Sequence, residues 1–241
     1  MSFNLSKIRD DFTYSLVDLT LKAHADAKIV GPIFHEEHAG SKLWQRMLDF
    51  RKKNTEARAP YLYSKEQKAI DKELQIDERS AHFVIATENE IMAYLRLTPR
   101  PFELSKLDPK WIDAEKRFDD FYELSRLATT PKIKSRALYA RLLLLGSGLW
   151  LFNHTDCQGI IAVCREDKLK YFSQFGLRAF FHYKSYLEAR ESYYHIISAN
   201  KERIFLKVIN DFIKRRSKKI FRPRFDWSSI NDLIAIKRKT Y

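Results

Sequence analysis

The sequence is poor in glycine and cysteine, with six glycines and two cysteines among 241 residues. The two thiols, Cys157 and Cys164, flank a probable strand, and this spacing indicates core residues rather than a disulfide framework. The longest apolar run, Leu142 to Phe152, is interrupted by glycine and serine and is much shorter than the roughly 20 residues of a membrane span. The N-terminal residues lack an apolar signal core, so we expect a soluble cytoplasmic protein without a membrane span.

Apolar and positively charged residues, by contrast, are abundant. Apolar residues make up 45% of the chain and aromatic residues 14%, which is enough for a core and too much for a disordered chain. The length suits one large domain, or one domain with an appendage. The 44 lysines and arginines against 31 aspartates and glutamates give a net charge of +13. Such a charge favours an acidic partner: nucleic acid, an anionic membrane surface or an acidic carrier protein.

Most of the positive charge lies near the C-terminal end. Residues 201–241 contain 13 Lys and Arg against four Asp and Glu, a net +9. Apolar residues from Ile204 to Ile213 recur there at helical spacing and most basic residues fall off that stripe, which predicts a basic amphipathic helical extension. Three interpretations stay open: the extension docks an acidic carrier protein, binds nucleic acid, or is a solvated face over a packed apolar stripe.

The apolar periodicity predicts an α/β domain with a sheet of mixed strand direction. Residues 1–75 are expected to be helical, with 18–27 and 41–53 as the clearest helices. The helix predicted over 135–154 would be the crossover between two parallel strands. The predicted strands cover residues 82–87, 91–97, 121–128, 159–164, 177–186 and 193–198, with a second short helix over 167–175.

A polar cluster interrupts the third of these strands, in the stretch Phe121-Tyr-Glu-Leu-Ser-Arg-Leu127. Because side chains alternate along a strand, we expect Glu123 and Ser125 on one face and Arg126 on the other. A carboxylate and a hydroxyl side by side, with a guanidinium behind them, suggest a reaction centre. Judged from the residues alone, a strand-end carboxylate paired with a lysine is the stronger interpretation of Glu123.

Three sequence blocks resemble those of one enzyme family. Glu123-Leu-Ser-Arg-Leu127 is similar to the Glu-x-Ser-Arg-Phe/Leu block of acyl-homoserine-lactone synthases and long-chain N-acyl amino acid synthases. Met92-Ala-Tyr-Leu-Arg-Leu-Thr-Pro99 looks like their block ending in Arg-Leu-Leu-Pro, and Tyr171-Phe-Ser-Gln-Phe-Gly-Leu177 looks like a helix signature of the GNAT acyltransferase fold. The likeness covers roughly residues 75–198. It implies an α/β fold with a GNAT-like mixed central sheet flanked by helices, followed by the basic helical C-terminal extension.

The scarcity of glycine bears on the acyl donor that the resemblance implies. Ordinary acetyl-CoA enzymes of this fold usually carry a glycine-rich loop after the fourth strand, where backbone N–H groups approach a pyrophosphate. Here that loop, residues 130–136, contains no glycine. A phosphopantetheine arm on a carrier protein has one phosphate, so a looser cradle would suffice for it. The expected cradle is Lys132, Lys134, Ser135 and Arg136 with the start of the following helix.

The resemblance also implies catalytic roles. Aminolysis of a thioester needs a base, because an amino acid's amine is mostly protonated at neutral pH, and Glu123 is the candidate. Arg126 would form an ion pair that fixes Glu123, Asp77 or the substrate carboxylate, with the support of Glu123 as its favoured role. Ser125 would hydrogen-bond the substrate or the thioester; a hydroxyl satisfied by the backbone is an equally good interpretation.

Further residues are implied to bind the substrate. Arg96 would fix Glu123, Asp77 or the substrate carboxylate through its bidentate geometry, and Asp77 and Glu78 would stand for the family's acidic pair before the first core strand. The backbone N–H groups of Leu127, Ala128 and Thr129 would form the oxyanion site. The Arg, Phe and Trp pattern of the lactone synthases has no counterpart in residues 1–60. This absence argues against the lactone product more than against acyl transfer.

The resemblance therefore implies an N-acyltransferase that moves a fatty acyl chain from acyl carrier protein, or from acyl-CoA, to an amino acid-like amine, giving an N-acyl amino acid or an acyl-homoserine-lactone-type product. Residues 1–200 would form the acyltransferase domain, with its helical part over 1–75 and its core sheet over 76–200, and residues 201–241 the extension. No cofactor is expected beyond the thioester co-substrate, and no metal, because His35 and His38 lack a third ligand. The alternatives are an acyl-CoA-dependent GNAT enzyme acting on a small amine or a protein, and an inactive nucleic-acid-binding relative.

Overall fold

The computed structural model describes residues 27–58, 67–131, 136–153, 157–204 and 206–207, and its centre is a seven-stranded mixed sheet. The spatial order is β1-β2-β3-β4-β5-β7-β6. Neighbouring strands are antiparallel except β4 and β5, which are parallel. The strands are β1 (Lys28–Ile33), β2 (Ala81–Ala86), β3 (Ile91–Thr98), β4 (Phe121–Thr129), β5 (Gly159–Arg165), β6 (Arg178–Leu187) and β7 (Ser192–Asn200).

Helices cover both faces of this sheet. The longest, α6, connects the two parallel strands and is the crossover that the sequence predicted over 135–154. Within the described ranges, no helix combines the length and the apolar content needed to cross a membrane. The helices are α1 (His35–His38), α2 (Lys42–Arg58), α3 (Gln67–Glu78), α4 (Leu104–Leu107), α5 (Ile112–Arg117), α6 (Arg136–Asn153) and α7 (Leu169–Ser173).

The core follows from the apolar runs of the central strands. Every residue of β2 and β3 is buried, because α6 covers one face of the sheet and α2 packs against the other. Beyond β4, the short helices α4 and α5 cover the face that α6 leaves, with Trp111 fully buried at their junction. Burying apolar side chains on both faces is what such continuous apolar strands require.

The predicted strands and the helix over 41–53 are confirmed within a few residues of their bounds, but the wholly helical N-terminal part is wrong. Residues Lys28–Ile33 form β1, paired antiparallel with β2. Gly31 and Pro32 interrupt this strand and its register shifts between Val30 and Ile33, so it lacks a strand's alternation. The helix predicted over 18–27 lies almost wholly outside the described residues, as does nearly all of the basic extension, from residue 208 onward.

Gly159 begins β5 where two other strands approach it closely, which predicts a severe effect of adding a side chain. A Cβ here would lie 2.2 Å from the Ala199 carbonyl oxygen and 2.8 Å from a Phe121 ring carbon. We expect Gly159→Ala to lower the free energy of unfolding by roughly 2–3 kcal/mol, measured by urea denaturation, because backbone cannot move aside cheaply. Gly146→Ala, inside α6, is the matched control: its added Cβ would lie 3.3 Å from an Ile29 methyl group, and its stability should stay within about 1 kcal/mol of the wild type.

Candidate active site

The strand β4 contains a bulge at the predicted reaction centre. Its register with β3 pairs Ser125 with Arg96 and Ala128 with Tyr94, so that two residues of β4, at 126 and 127, face the single residue Leu95. Arg126 adopts a φ of +56°, in the left-handed region that side chains rarely occupy. The inserted residue interrupts the ladder and redirects the side chains that follow.

The bulge overturns one expectation about Arg126. Strict alternation predicts its side chain on the face opposite Ser125, but its guanidinium binds Glu73. Glu73 also binds Arg96, and Arg96 Nε donates to Ser125 Oγ at 3.1 Å. Arg126 therefore lies on the same side of the sheet as Ser125. The period of two fails here because the bulge inserts a residue with a positive φ.

Arg96 is the centre of a buried ion-pair network. Its side chain has no exposed area. One terminal nitrogen, Nη1, donates to Asp77 Oδ1 at 2.7 Å and to Glu73 Oε1 at 3.0 Å, and the other, Nη2, donates to Glu103 Oε2 at 2.7 Å. The guanidinium thus connects α3, the loop after β3 and, through Ser125, the strand β4.

Two more arginines complete the network. Arg126 binds Glu73 through two parallel hydrogen bonds of 3.1 and 3.0 Å and lies 3.4 Å from Glu103 Oε1. Arg51 from α2 donates to Asp77 Oδ1. Burial alone would raise the pKa of Glu73, but the charges of Arg126, Arg96 and Arg51 outweigh it and hold that pKa well below its usual range.

Glu123 has a different environment from the other carboxylates. It is 3% exposed, and its Oε2 accepts a hydrogen bond from the backbone N–H of Glu103. Burial first, and then the nearby Glu103 carboxylate, raise the pKa of Glu123 to about 7, against the opposing effects of that N–H, Arg96 and Arg126. A carboxylate with such a pKa exchanges a proton near neutral pH, which is the property of a general base.

The pairing between β4 and β5 ends beside these residues, and the space between the unpaired parts of the two strands is the candidate cleft. Their parallel pairing runs only from Phe121 opposite Gly159 to Glu123 opposite Ile161, although β4 continues to Thr129 and β5 to Arg165. Residues 125–128 of β4 are half-buried, unlike most central strand residues of this sheet. Unpaired strand edges of this kind can hydrogen-bond an extended ligand through their backbone N–H and C=O groups. No group of three or more His, Cys, Asp or Glu among the described residues could hold a metal ion.

The remaining predicted site residues occupy varied positions. Asp77 has no exposed area and belongs to the ion-pair network. Leu127 is the second residue of the bulge, and Ala128 and Thr129 follow it at the end of β4. Arg136 is exposed at the start of α6, with its Nη2 donating to the Pro131 carbonyl oxygen at 2.7 Å. Lys132, Lys134 and Ser135 lie outside the described residues.

Sequence reasoning missed Glu73, Arg51 and Glu103. The acidic pair was placed at Asp77 and Glu78, but Glu78 is exposed and the network uses Glu73 with Asp77. The four-residue spacing of Glu73 and Asp77 on a helix was a signal that they share a face. Arg51 and Glu103 carry no such signal.

The unusual pKa of Glu123 predicts a pH-dependent stability. Its folded pKa, about 7, lies above its ordinary value of 4.5, so the folded state binds more protons between these values and loses stability as pH rises through that window. We expect Glu123→Gln, which cannot ionise, to be stabilised relative to the wild type by about 2 kcal/mol more at pH 8 than at pH 5. Urea denaturation at both pH values measures this difference. Glu88→Gln, a change of the same kind at an exposed turn, is the matched control, and an equal result for both variants would contradict the raised pKa of Glu123.

Comparison with known proteins gives matches in structure rather than in sequence. No protein-family model and no curated protein matches the sequence. The FeeM N-acyl amino acid synthase from uncultured soil microbes matches with a TM-score of 0.54 at 8% identity, over 74% of this chain and 92% of that one. The CoA-dependent acyl-homoserine lactone synthase MesI matches with a TM-score of 0.55 at 16% identity, over 83% and 99%.

An acyl-CoA N-acyltransferase from Pseudomonas aeruginosa also matches, with a TM-score of 0.50 at 16% identity, over 71% of this chain and 98% of that one. At such identities a structural likeness defines the fold alone. The mixed seven-stranded sheet with its flanking helices is that of a GNAT-like domain, as the sequence predicted.

Proposed function

We propose that this protein is an N-acyltransferase that moves a fatty acyl chain from a thioester to the amine of an amino acid-like acceptor. The observation that carries the proposal is Glu123: a buried carboxylate with a pKa near 7, on β4 where the pairing with β5 ends. The GNAT-like fold supports it, since the similar structures include an N-acyl amino acid synthase and an acyl-homoserine lactone synthase.

In this proposal the reaction begins with a proton transfer. Glu123 takes a proton from the acceptor's ammonium group, and the neutral amine attacks the thioester carbonyl carbon to form a C–N bond. The carbonyl oxygen becomes an oxyanion, and N–H groups of Leu127 to Thr129 that face the cleft stabilise it. The C–S bond then breaks, and the thiolate takes up one proton as the nitrogen loses its second. The products are an amide, a free thiol and one proton released to water.

Arg126 and Ser125 would orient the acceptor. The Arg126 side chain is 19% exposed whereas that of Arg96 is 0%, so a carboxylate of the acceptor could reach Arg126 but not Arg96. Ser125 Oγ accepts from Arg96, which leaves its O–H proton to donate to the substrate or the thioester. Arg96 contacts Ser125 directly and is linked to Arg126 through Glu73 and Glu103, so this buried arginine would position both groups.

The donor would be acyl carrier protein or acyl-CoA, with its pantetheine arm extended between β4 and β5. An arm that runs along β4 toward its C-terminal end would bring the donor's phosphate near the start of α6, where the helix N-terminus favours an anion. Arg136 begins that helix, and Lys132, Lys134 and Ser135 precede it in sequence. The net charge of +13 suits an acidic carrier protein, whereas the CoA dependence of MesI favours CoA, so both donors belong in the test.

The proposal predicts thiol release from acyl thioesters. We expect the purified protein, given acyl carrier or CoA thioesters and a panel of amino acids, to release thiol with at least one pair, detected by a thiol-reactive dye and by mass spectrometry of the amide. Glu123→Gln should lower kcat by roughly 10²–10⁴-fold, the usual contribution of general base catalysis.

Glu88→Gln, a change to an exposed carboxylate remote from the cleft, serves as the control for the assay and should keep wild-type turnover. No thiol release with any acceptor would refute the enzymatic activity. Unchanged turnover in Glu123→Gln would remove Glu123 from the role of base.

A further inference from the structure

We propose that Glu103 is a positioning residue that sets the pH range over which Glu123 can accept a proton. Sequence blocks gave it no role, and it lies in the loop between β3 and α4. The inference rests on the proposed function for its catalytic consequence, but the coupling between the two carboxylates can be measured without it.

The loop that carries Glu103 is held by side chains from three directions. Arg79, just after α3, donates to the carbonyl oxygens of Pro99, at 2.6 Å, and Pro101. Glu115 Oε1, from α5, accepts the N–H of Phe102 at 2.8 Å, and Glu123 accepts the next N–H, that of Glu103 itself. The position of Glu103 relative to Glu123 is therefore fixed by the fold.

The Glu103 side chain then extends to the arginines. Its two carboxylate oxygens lie 2.7 Å from Arg96 Nη2 and 3.4 Å from Arg126 Nη2, and the side chain is 12% exposed. A guanidinium already paired with one carboxylate attracts a second less strongly. Glu103 therefore weakens the two positive charges that would otherwise favour ionised Glu123, and it adds a negative charge of its own.

The groups that act on Glu123 come from each element packed against it. Arg96 on β3 and Arg126 on β4 favour its ionised form, and Arg79, after α3, also interacts with it. Glu103 opposes ionisation through its carboxylate and favours it through its backbone N–H, and the carboxylate has the larger effect of the two. A variant that removes the carboxylate and keeps the backbone N–H therefore tests the effect of the Glu103 side chain alone.

The variant that does so is Glu103→Gln. We expect the apparent pKa of the acidic limb of its kcat/KM profile to fall by about one unit, the lower end of the shift that a nearby arginine causes, because Arg96 and Arg126 lose a carboxylate partner. The pKa of Glu123 can also be measured by a carbon-13 NMR titration of glutamate-labelled protein, in which the Glu123 signal is assigned by its absence in Glu123→Gln. This pKa should fall by the same amount in Glu103→Gln. In Glu103→Asp, which keeps the charge, the pKa of Glu123 should stay closer to the wild-type value. Glu115→Gln affects the same loop at Phe102 and should leave the Glu123 titration unchanged.

Each outcome decides between coupling and a merely structural role. An unmoved NMR titration in Glu103→Gln would overturn the proposal even if turnover fell, because a structural role predicts lower activity at the same pKa. If that variant does not fold, Glu103→Met is the second uncharged variant, and an unmoved titration there overturns the proposal equally. A shifted titration in a protein without activity toward any thioester would support the coupling and refute the proposed function.

Discussion

The packing of this domain depends on one buried cation. Arg96 has no exposed area, and removing a guanidinium from water costs several kcal/mol unless its donors find partners. The partners come from elsewhere in the fold: Glu73 and Asp77 from α3, Glu103 from the loop after β3. Helix α3, that loop and the sheet must therefore assemble together, since any one of them moved away would leave a charge buried without compensation.

The same network explains why Glu123 differs from its neighbours. Three guanidiniums, of Arg51, Arg96 and Arg126, face the three carboxylates of Glu73, Asp77 and Glu103. Each of these arginines is already paired, so ionised Glu123 would add a buried negative charge near the Glu103 carboxylate. The raised pKa of Glu123 follows first from its burial and then from that carboxylate. In contrast, Glu73 binds Arg126 through both oxygens and stays ionised.

The sequence predicted those parts of the fold that repeat with a regular period. The strands around Val84, Tyr94 and Ile161 and the apolar helix α6 were predicted because apolar residues recur along them. The strand β1 was missed because Gly31 and Pro32 break its alternation.

The site itself was less predictable than the fold. Arg126 was placed on the wrong face because a bulge does not show in a single sequence. Glu103 was missed because its contacts are set by how a loop folds back, which periodicity does not encode. Glu123 and Ser125 could be placed side by side in advance because both lie within a single strand, where local geometry suffices; their catalytic roles stay predictions.

The location of the cleft is a property of the backbone more than of the side chains. At β4 the pairing with β5 ends at Glu123, and the bulge toward β3 follows within three residues, so both edges of a central strand change almost at the same point. A strand inside a sheet normally has its backbone groups satisfied by neighbours, and beyond Glu123 this stretch of β4 is no longer paired with β5. A ligand arm with its own donors and acceptors would complete the ladder. Because this arrangement needs a particular chain path rather than particular residues, it is compatible with a fold shared at only 8 to 16% identity.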